Sequence, residues 1–230
     1  MPIIINPYRI VPPAPTILAT TAVLRASTSD PFSVSHTVAA NTDCVVAVGG
    51  WVRNQVKALS TPTYGGVSMT LAATAEDNNS SDTAGCYVAY LTTVGGLLTG
   101  AQNFVADLTS GNPDFWSWVI FDLQGANQSS PAAASGTATT SGVAAKSVTV
   151  DTSALTFATL VLGGRVIGRG DATTFSPGTN VTEVADDLNT TLSLFVGKRL
   201  DMAPENFSFA CTASSAAFGG DAMAAVAFKG

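Results

Sequence analysis

The stretch from Asp43 to Leu71, DCVVAVGGWVRNQVKALSTPTYGGVSMTL, decides the fold. In its first part Cys44, Val46, Val48 and Val52 share one alternating register, and Val45, Ala47 and Trp51 share the other. Successive side chains of a strand point to opposite faces, so a strand apolar on both faces has protein on both sides. Pro62-Thr63-Tyr64 then leads into Gly65-Gly66, and two glycines supply the positive φ angles of a tight hairpin turn. Beyond the turn Val67, Met69 and Leu71 alternate with Ser68 and Thr70, the pattern of a half-buried strand.

Outward from this stretch, the period stays close to two from Ile17 onward, and no helical pattern of useful length appears. Strands are predicted over 22–26, 32–38, 44–52, 67–72, 85–92, 102–107, 115–123, 147–151, 158–166, 181–184, 191–199, 207–212 and 223–228. So many strands at this spacing predict an all-β fold, a two-sheet antiparallel β-sandwich of jelly-roll-like topology, over residues 17–230. The last strand alternates Met223, Ala225 and Ala227 with Ala224, Val226 and Phe228, and is expected to be buried. The segment 125–145, GANQSSPAAASGTATTSGVAA, is small, polar and without alternation, so it reads as a long exposed loop. No internal repeat and no dividing linker is apparent.

Composition narrows the function classes. Charged residues make up 11% of the 230 and apolar ones 46%, yet no run approaches the ~18 apolar residues of a membrane helix. The net charge is −6 with ten basic residues. Phosphate backbones demand clustered Lys and Arg, and the best local group here is Arg165 with Arg169. Nucleic acid and membrane are therefore not expected partners. Cys44, Cys86 and Cys211 all fall in predicted strands without a C-x-x-C pair. They read as reduced core thiols, with a disulfide between two of them left open. No basic n-region or cleavage site follows Met1, which suits synthesis in a cytoplasm without a signal peptide.

Residues 1–16, MPIIINPYRIVPPAPT, stand apart. Pro2, Pro7, Pro12, Pro13 and Pro15 are interleaved with Ile3, Ile4, Ile5, Tyr8, Ile10 and Val11. Proline blocks helix and interior strand, so the segment is expected to be an extended N-terminal arm. Its apolar side chains need a groove, either on its own domain or on a sister subunit or virion partner, and the second is preferred.

Candidate chemistry is sparse. His36 is the single histidine, and no G-x-S-x-G elbow accompanies it, so it reads as an exposed or internally satisfied strand residue. The run Glu76-Asp77-Asn78-Asn79-Ser80-Ser81-Asp82 lacks the glycine and glutamate of a calcium loop and reads as a polar hairpin loop, with an adventitious Ca²⁺ site as the lesser alternative. Asp186 and Asp187 are adjacent and would face opposite sides of a strand. Arg169-Gly170-Asp171 and Asn180-Val181-Thr182 read as turn chemistry and an unused sequon. No catalytic, metal or cofactor site is assigned. Trp116 and Trp118 share one face of the strand Phe115 to Phe121. They could stack a sugar, bury against a sister subunit or fill the core, and core or interface is favoured because both registers are apolar.

The order VVAVGGWV, then PTYGGVSMTL, then Tyr87-Val88-Ala89-Tyr90-Leu91, then Phe115-Trp116-Ser117-Trp118-Val119-Ile120-Phe121 resembles a β-sandwich module of tailed-bacteriophage virion surface proteins. The resemblance covers roughly residues 17 to 230 and lies in turn and core patterns. It implies a non-enzymatic structural protein: a head fibre, spike or decoration subunit on the virion surface, homo-oligomeric and bound to a capsid or tail protein through its arm. The alternative it implies is a receptor- or glycan-binding module of a tail fibre, with a host surface glycan as partner.

Overall fold

Strands that are apolar on both faces belong in the middle of sheets, and the computed structural model places them there. It describes residues 12–24, 28–53, 58–78, 83–97, 99–109, 111–140, 142–155, 157–168, 174–188, 192–201, 205–215 and 219–230. The first half contributes β1 (Thr16–Val23), β2 (Phe32–Val38), β3 (Cys44–Arg53), β4 (Thr63–Tyr64), β5 (Val67–Ser68), β6 (Thr70–Asp77), β7 (Thr83–Thr92), β8 (Gly100–Ala106) and β9 (Phe115–Gln124). The second contributes β10 (Ala132–Ala138), β11 (Ala145–Asp151), β12 (Thr159–Gly168), β13 (Phe175–Pro177), β14 (Thr182–Asp187), β15 (Leu192–Asp201), β16 (Asn206–Ala213) and β17 (Asp221–Lys229). Every pairing between these strands is antiparallel.

The all-β, sandwich-type expectation is met, with four sheets where two were predicted. Two central sheets, ordered β1-β9-β3-β7-β6 and β10-β17-β12-β15-β14, pack face to face. Each carries an outer sheet on its other face, β2-β8-β4-β5 on the first and β11-β16-β13 on the second. Three apolar layers result: Val48, Cys86, Leu162 and Val226 lie between the central sheets. Trp118, Tyr64 and Phe104 fill the first sandwich, and Phe195, Phe209 and Met223 the second.

The two halves have the same topology. In the first, β1 pairs β9, β2 pairs β8, β3 pairs β7 and β4 pairs β5. This nested ribbon, folded over itself, is a jelly roll. In the second, β10 pairs β17, β11 pairs β16 and β12 pairs β15 in the same nesting. Substituting β10 for β1, β17 for β9, β12 for β3, β15 for β7 and β14 for β6 converts one central sheet order into the other. Register carries the match to single residues. Gly49-Gly50-Trp51 faces Trp118, Ser117 and Trp116, and Gly163-Gly164-Arg165 faces Ala225, Ala224 and Met223. Between the central sheets β3 lies over β12, and β17 lies over β7 and β6.

Three local expectations are corrected. The supposed loop 125–145 contains β10, which pairs β17 along Ala132 to Ala138. Its alternation is hidden because its side chains are small, and they are small because β11 crosses close by: a Cβ on Gly136 would lie 2.3 Å from the Thr149 carbonyl oxygen. Glu76 and Asp77 belong to β6 rather than to a hairpin loop, their carboxylates accept from internal donors, and residues 79–82 of that run lie outside the described residues. The predicted strand 22–26 is instead β1, Thr16–Val23, a sheet edge of alternating exposure. Gly65 and Gly66 do take φ of 58° and 79° between β4 and β5, as the turn requires. After Val67–Ser68 the chain leaves the outer sheet and enters the central one at Thr70.

The arm residues Ile3, Ile4, Ile5, Tyr8, Ile10 and Val11 lie outside the described residues, as does Arg169-Gly170-Asp171. Pro15, at the arm's root, is buried. Pro13 passes so close to Gly230 that a Cβ there would sit 2.1 Å from its carbonyl oxygen.

Candidate functional site

Trp116 and Trp118 alternate toward the first outer sheet, and both are fully buried. Trp118 stacks on Tyr87 and meets Phe104 edge-on, at 6.4 and 5.0 Å between ring centres. Trp116 tilts against Phe32 and donates its indole N–H to the Ser29 carbonyl at 3.1 Å. The face is core, so it offers no sugar-stacking platform. Trp51 donates to the Tyr87 hydroxyl at 2.9 Å, which donates in turn to Glu76 Oε1 at 2.7 Å. Burial, reinforced by Glu76, pushes the Tyr87 phenol far above its ordinary value.

His36, on β2, is 3% exposed. Nδ1 sits 2.9 Å from Thr21 Oγ1 on β1, and Nε2 sits 2.9 Å from Asp122 Oδ1 on β9. The second Asp122 oxygen accepts the Ala39 N–H at 2.8 Å, while Tyr64 donates to the His36 carbonyl at 3.0 Å. The order Thr-His-Asp has the hydrogen-bond sequence of a nucleophilic triad. Here it ties the outer sheet to the central one. The imidazole is enclosed and both its nitrogens are engaged, which is the internally satisfied histidine of the sequence reading.

The second sandwich contains a cluster that spacing did not reveal. Arg165, fully buried on β12, donates Nε to Asp221 Oδ1 at 2.9 Å and Nη2 to Asp221 Oδ2 at 2.7 Å. Its remaining donors reach the carbonyls of Val143, Ala144 and Cys211. Lys146 Nζ lies 3.0 Å from Asp221 Oδ2 and donates to the Asp221 carbonyl at 2.9 Å. Asp77, from the first half, accepts the Asp221 N–H at 2.9 Å. Two cations and two carboxylates thus balance where an unpaired charge would be prohibitive. Burial pulls the Lys146 ammonium below its ordinary value against the attraction of Asp221. The partners are 19 to 144 positions apart in sequence, and β12 reads as a buried strand interrupted by one charge. That lone buried-strand arginine was the available signal.

Cys44, Cys86 and Cys211 are free, buried thiols, each pushed up to about 12 by desolvation. Asp187 faces inward and accepts from Ser117 at 3.1 Å across the central layer, while Asp186 is part-exposed. Among the described residues, no three His, Cys, Asp or Glu side chains gather as a metal site.

One open cleft, of about 370 Å³, lies where β15 and β16 meet the turn before β14; Thr179, Asn180, Arg199, Glu205, Asn206 and Ser208 line it. The Arg199 guanidinium lies 4.2 Å over the Phe207 ring and pairs with Glu205. Its Nε–H is buried without an acceptor. Compared with protein-family models, curated proteins and solved structures, the chain matches none of them.

Proposed function

We propose that the chain is a structural protein of a tailed-phage virion. In this reading it stands on the particle as a head fibre, spike or decoration subunit and attaches through its N-terminal arm. The observation that carries the reading is where the polar chemistry lies. His36 is held by Thr21 and Asp122, and Arg165 and Lys146 are held by Asp221 and main chain, so these enclosed polar groups serve the fold, which supports a structural role. The resemblance of the TYGG turn and the aromatic strands to virion modules supports it. So does fold-level analogy, because jelly rolls recur in capsid proteins. The tail-fibre alternative would need a sugar site other than Trp116 and Trp118.

The test pairs folding with assembly. A chain beginning at Thr16 is expected to melt cooperatively within a few degrees of the full chain, and to lose incorporation into particles or into its own oligomer. Five apolar side chains at roughly 1.5–3 kcal/mol each on full burial are enough to hold a subunit in place. Unimpaired incorporation would refute the docking role. Loss of folding would make the arm part of the core.

A further inference from the structure

We infer that the cleft between β15, β16 and the 178–180 turn is a binding site for an uncharged saccharide. The inference stands whether or not the chain is a virion protein. Its volume, about 370 Å³, falls within the ~300–1,000 Å³ range of small-molecule sites.

The walls are fixed. The turn is clamped to β16 by the Gly178 N–H donating to the Ala210 carbonyl at 2.8 Å, and it closes on itself through Val181 N–H to Gly178 at 3.0 Å. On the other side, the Thr152 N–H and hydroxyl both donate to the Glu205 carbonyl, at 3.1 and 2.8 Å. Arg199 is held between the Phe207 ring and Glu205. An arginine extended into water would satisfy all its donors. This one lies back over the ring, where the ring contact and the Glu205 pair hold the guanidinium in the cleft wall at the cost of an Nε–H buried without an acceptor.

The lining selects the ligand. Asn180 and Asn206, both exposed, each offer an acceptor and two donors on one planar group, which matches adjacent hydroxyls. Thr179 and Ser208 add hydroxyls that can either donate or accept. Among the described lining residues, one cation, Arg199, and one anion, Glu205, neutralise each other. An anionic ligand would meet Glu205, a cationic one would meet Arg199, and the apolar lining is too small to drive purely hydrophobic binding. Hydroxyl-rich and neutral is the class that remains.

The experiment uses the full chain with lactose, maltose, cellobiose and N,N′-diacetylchitobiose as probes, and galacturonate and glucosamine as charged comparisons. Saturation-transfer and amide-shift NMR are expected to show millimolar binding of at least one neutral disaccharide, with shifts at residues 178–181 and 205–208. Asn206→Ala, at an exposed position, should weaken it at least tenfold with an unchanged thermal melt, and Asn180→Gly should do the same while keeping the positive φ of 62°. Absence of transfer from every neutral probe would overturn the assignment. So would binding untouched by both variants, or binding of the charged sugars alone.

Discussion

Trp51 and Arg165 occupy the same place in the two jelly rolls. Each follows the glycine pair of the strand beside the last one, each points into its own sandwich, and each is wholly buried. Around Trp51 the first roll is filled with rings, Trp116, Trp118, Tyr87 and Phe104. Around Arg165 the second holds Met223, Ala225 and a balanced set of charges. What the two rolls share is strand nesting, two-faced apolar strands and a close approach at the glycines. The same nesting thus accommodates a tryptophan or an ionic set at the equivalent position, while Phe175, Phe195, Phe207 and Phe209 still fill the rest of the second roll.

The largest expected effect breaks the ionic side of that comparison. Asp221→Ala leaves Lys146 and Arg165 with one distant carboxylate, and should cost about 3–5 kcal/mol. Converting the whole set together, with Lys146→Met, Arg165→Met, Asp221→Leu and Asp77→Asn, whose amide oxygen can still accept the main-chain N–H of residue 221, should recover most of that loss, because apolar groups of similar volume replace buried ion pairs at little net cost. Urea unfolding of both variants decides it. A quadruple variant as unstable as the single one would mean that the charges specify the second roll.

A smaller effect probes the shared glycines. A Cβ on Gly50 would lie 1.7 Å from the Gly85 carbonyl oxygen, which is backbone and cannot yield. On Gly164 it would lie 3.0 Å from a Val48 methyl and 3.1 Å from the Phe195 carbonyl oxygen, so its neighbours need give by only a few tenths of an ångström. Gly50→Ala should thus reach or exceed the ~3 kcal/mol upper range for overpacking, and Gly164→Ala should stay near its ~1 kcal/mol lower end. Equal melting shifts for the two would refute this difference between the paired glycines.

The smallest effect is alkaline. Folded Cys44, Cys86 and Cys211 keep their protons up to about 12 against an ordinary 9.0. The unfolded chain releases those protons first, so this contribution is complete below pH 9 and is lost as pH rises from 9 toward 12. Urea midpoints at pH 7, 9 and 10.5 should fall in that order. Cys86→Ala, in the layer both halves share, should flatten the slope, and an unchanged slope would place the titrating groups elsewhere.

Much of this was legible in order along the chain. The two-faced pattern of β3, the glycine turn after Tyr64 and the aromatic β9 identify antiparallel sandwich structure without help. The duplication was not legible, because AVGGWV and VLGGRV share little beyond the glycines, and a tryptophan against an arginine hides the equivalence. Two-faced strands announce protein on both sides without saying how many layers supply it. The polar clusters were invisible for another reason. Asp122 stands 86 positions from His36 and Asp221 stands 56 from Arg165, so only the folded nesting brings them together.

That nesting sets a schedule for the chain during synthesis. In each roll the last strand made is inserted between the first and third, β9 between β1 and β3, and β17 between β10 and β12. The first roll has all its strands once Gln124 has emerged from the ribosome. The second cannot close until Lys229 has, and until then β10 and β12 wait with unpaired edges beside the apolar face of a finished neighbour. The first roll is thus in place as a template on which the second is laid down, and a nascent chain halted shortly before β17 would carry the most adhesive surface of its whole lifetime.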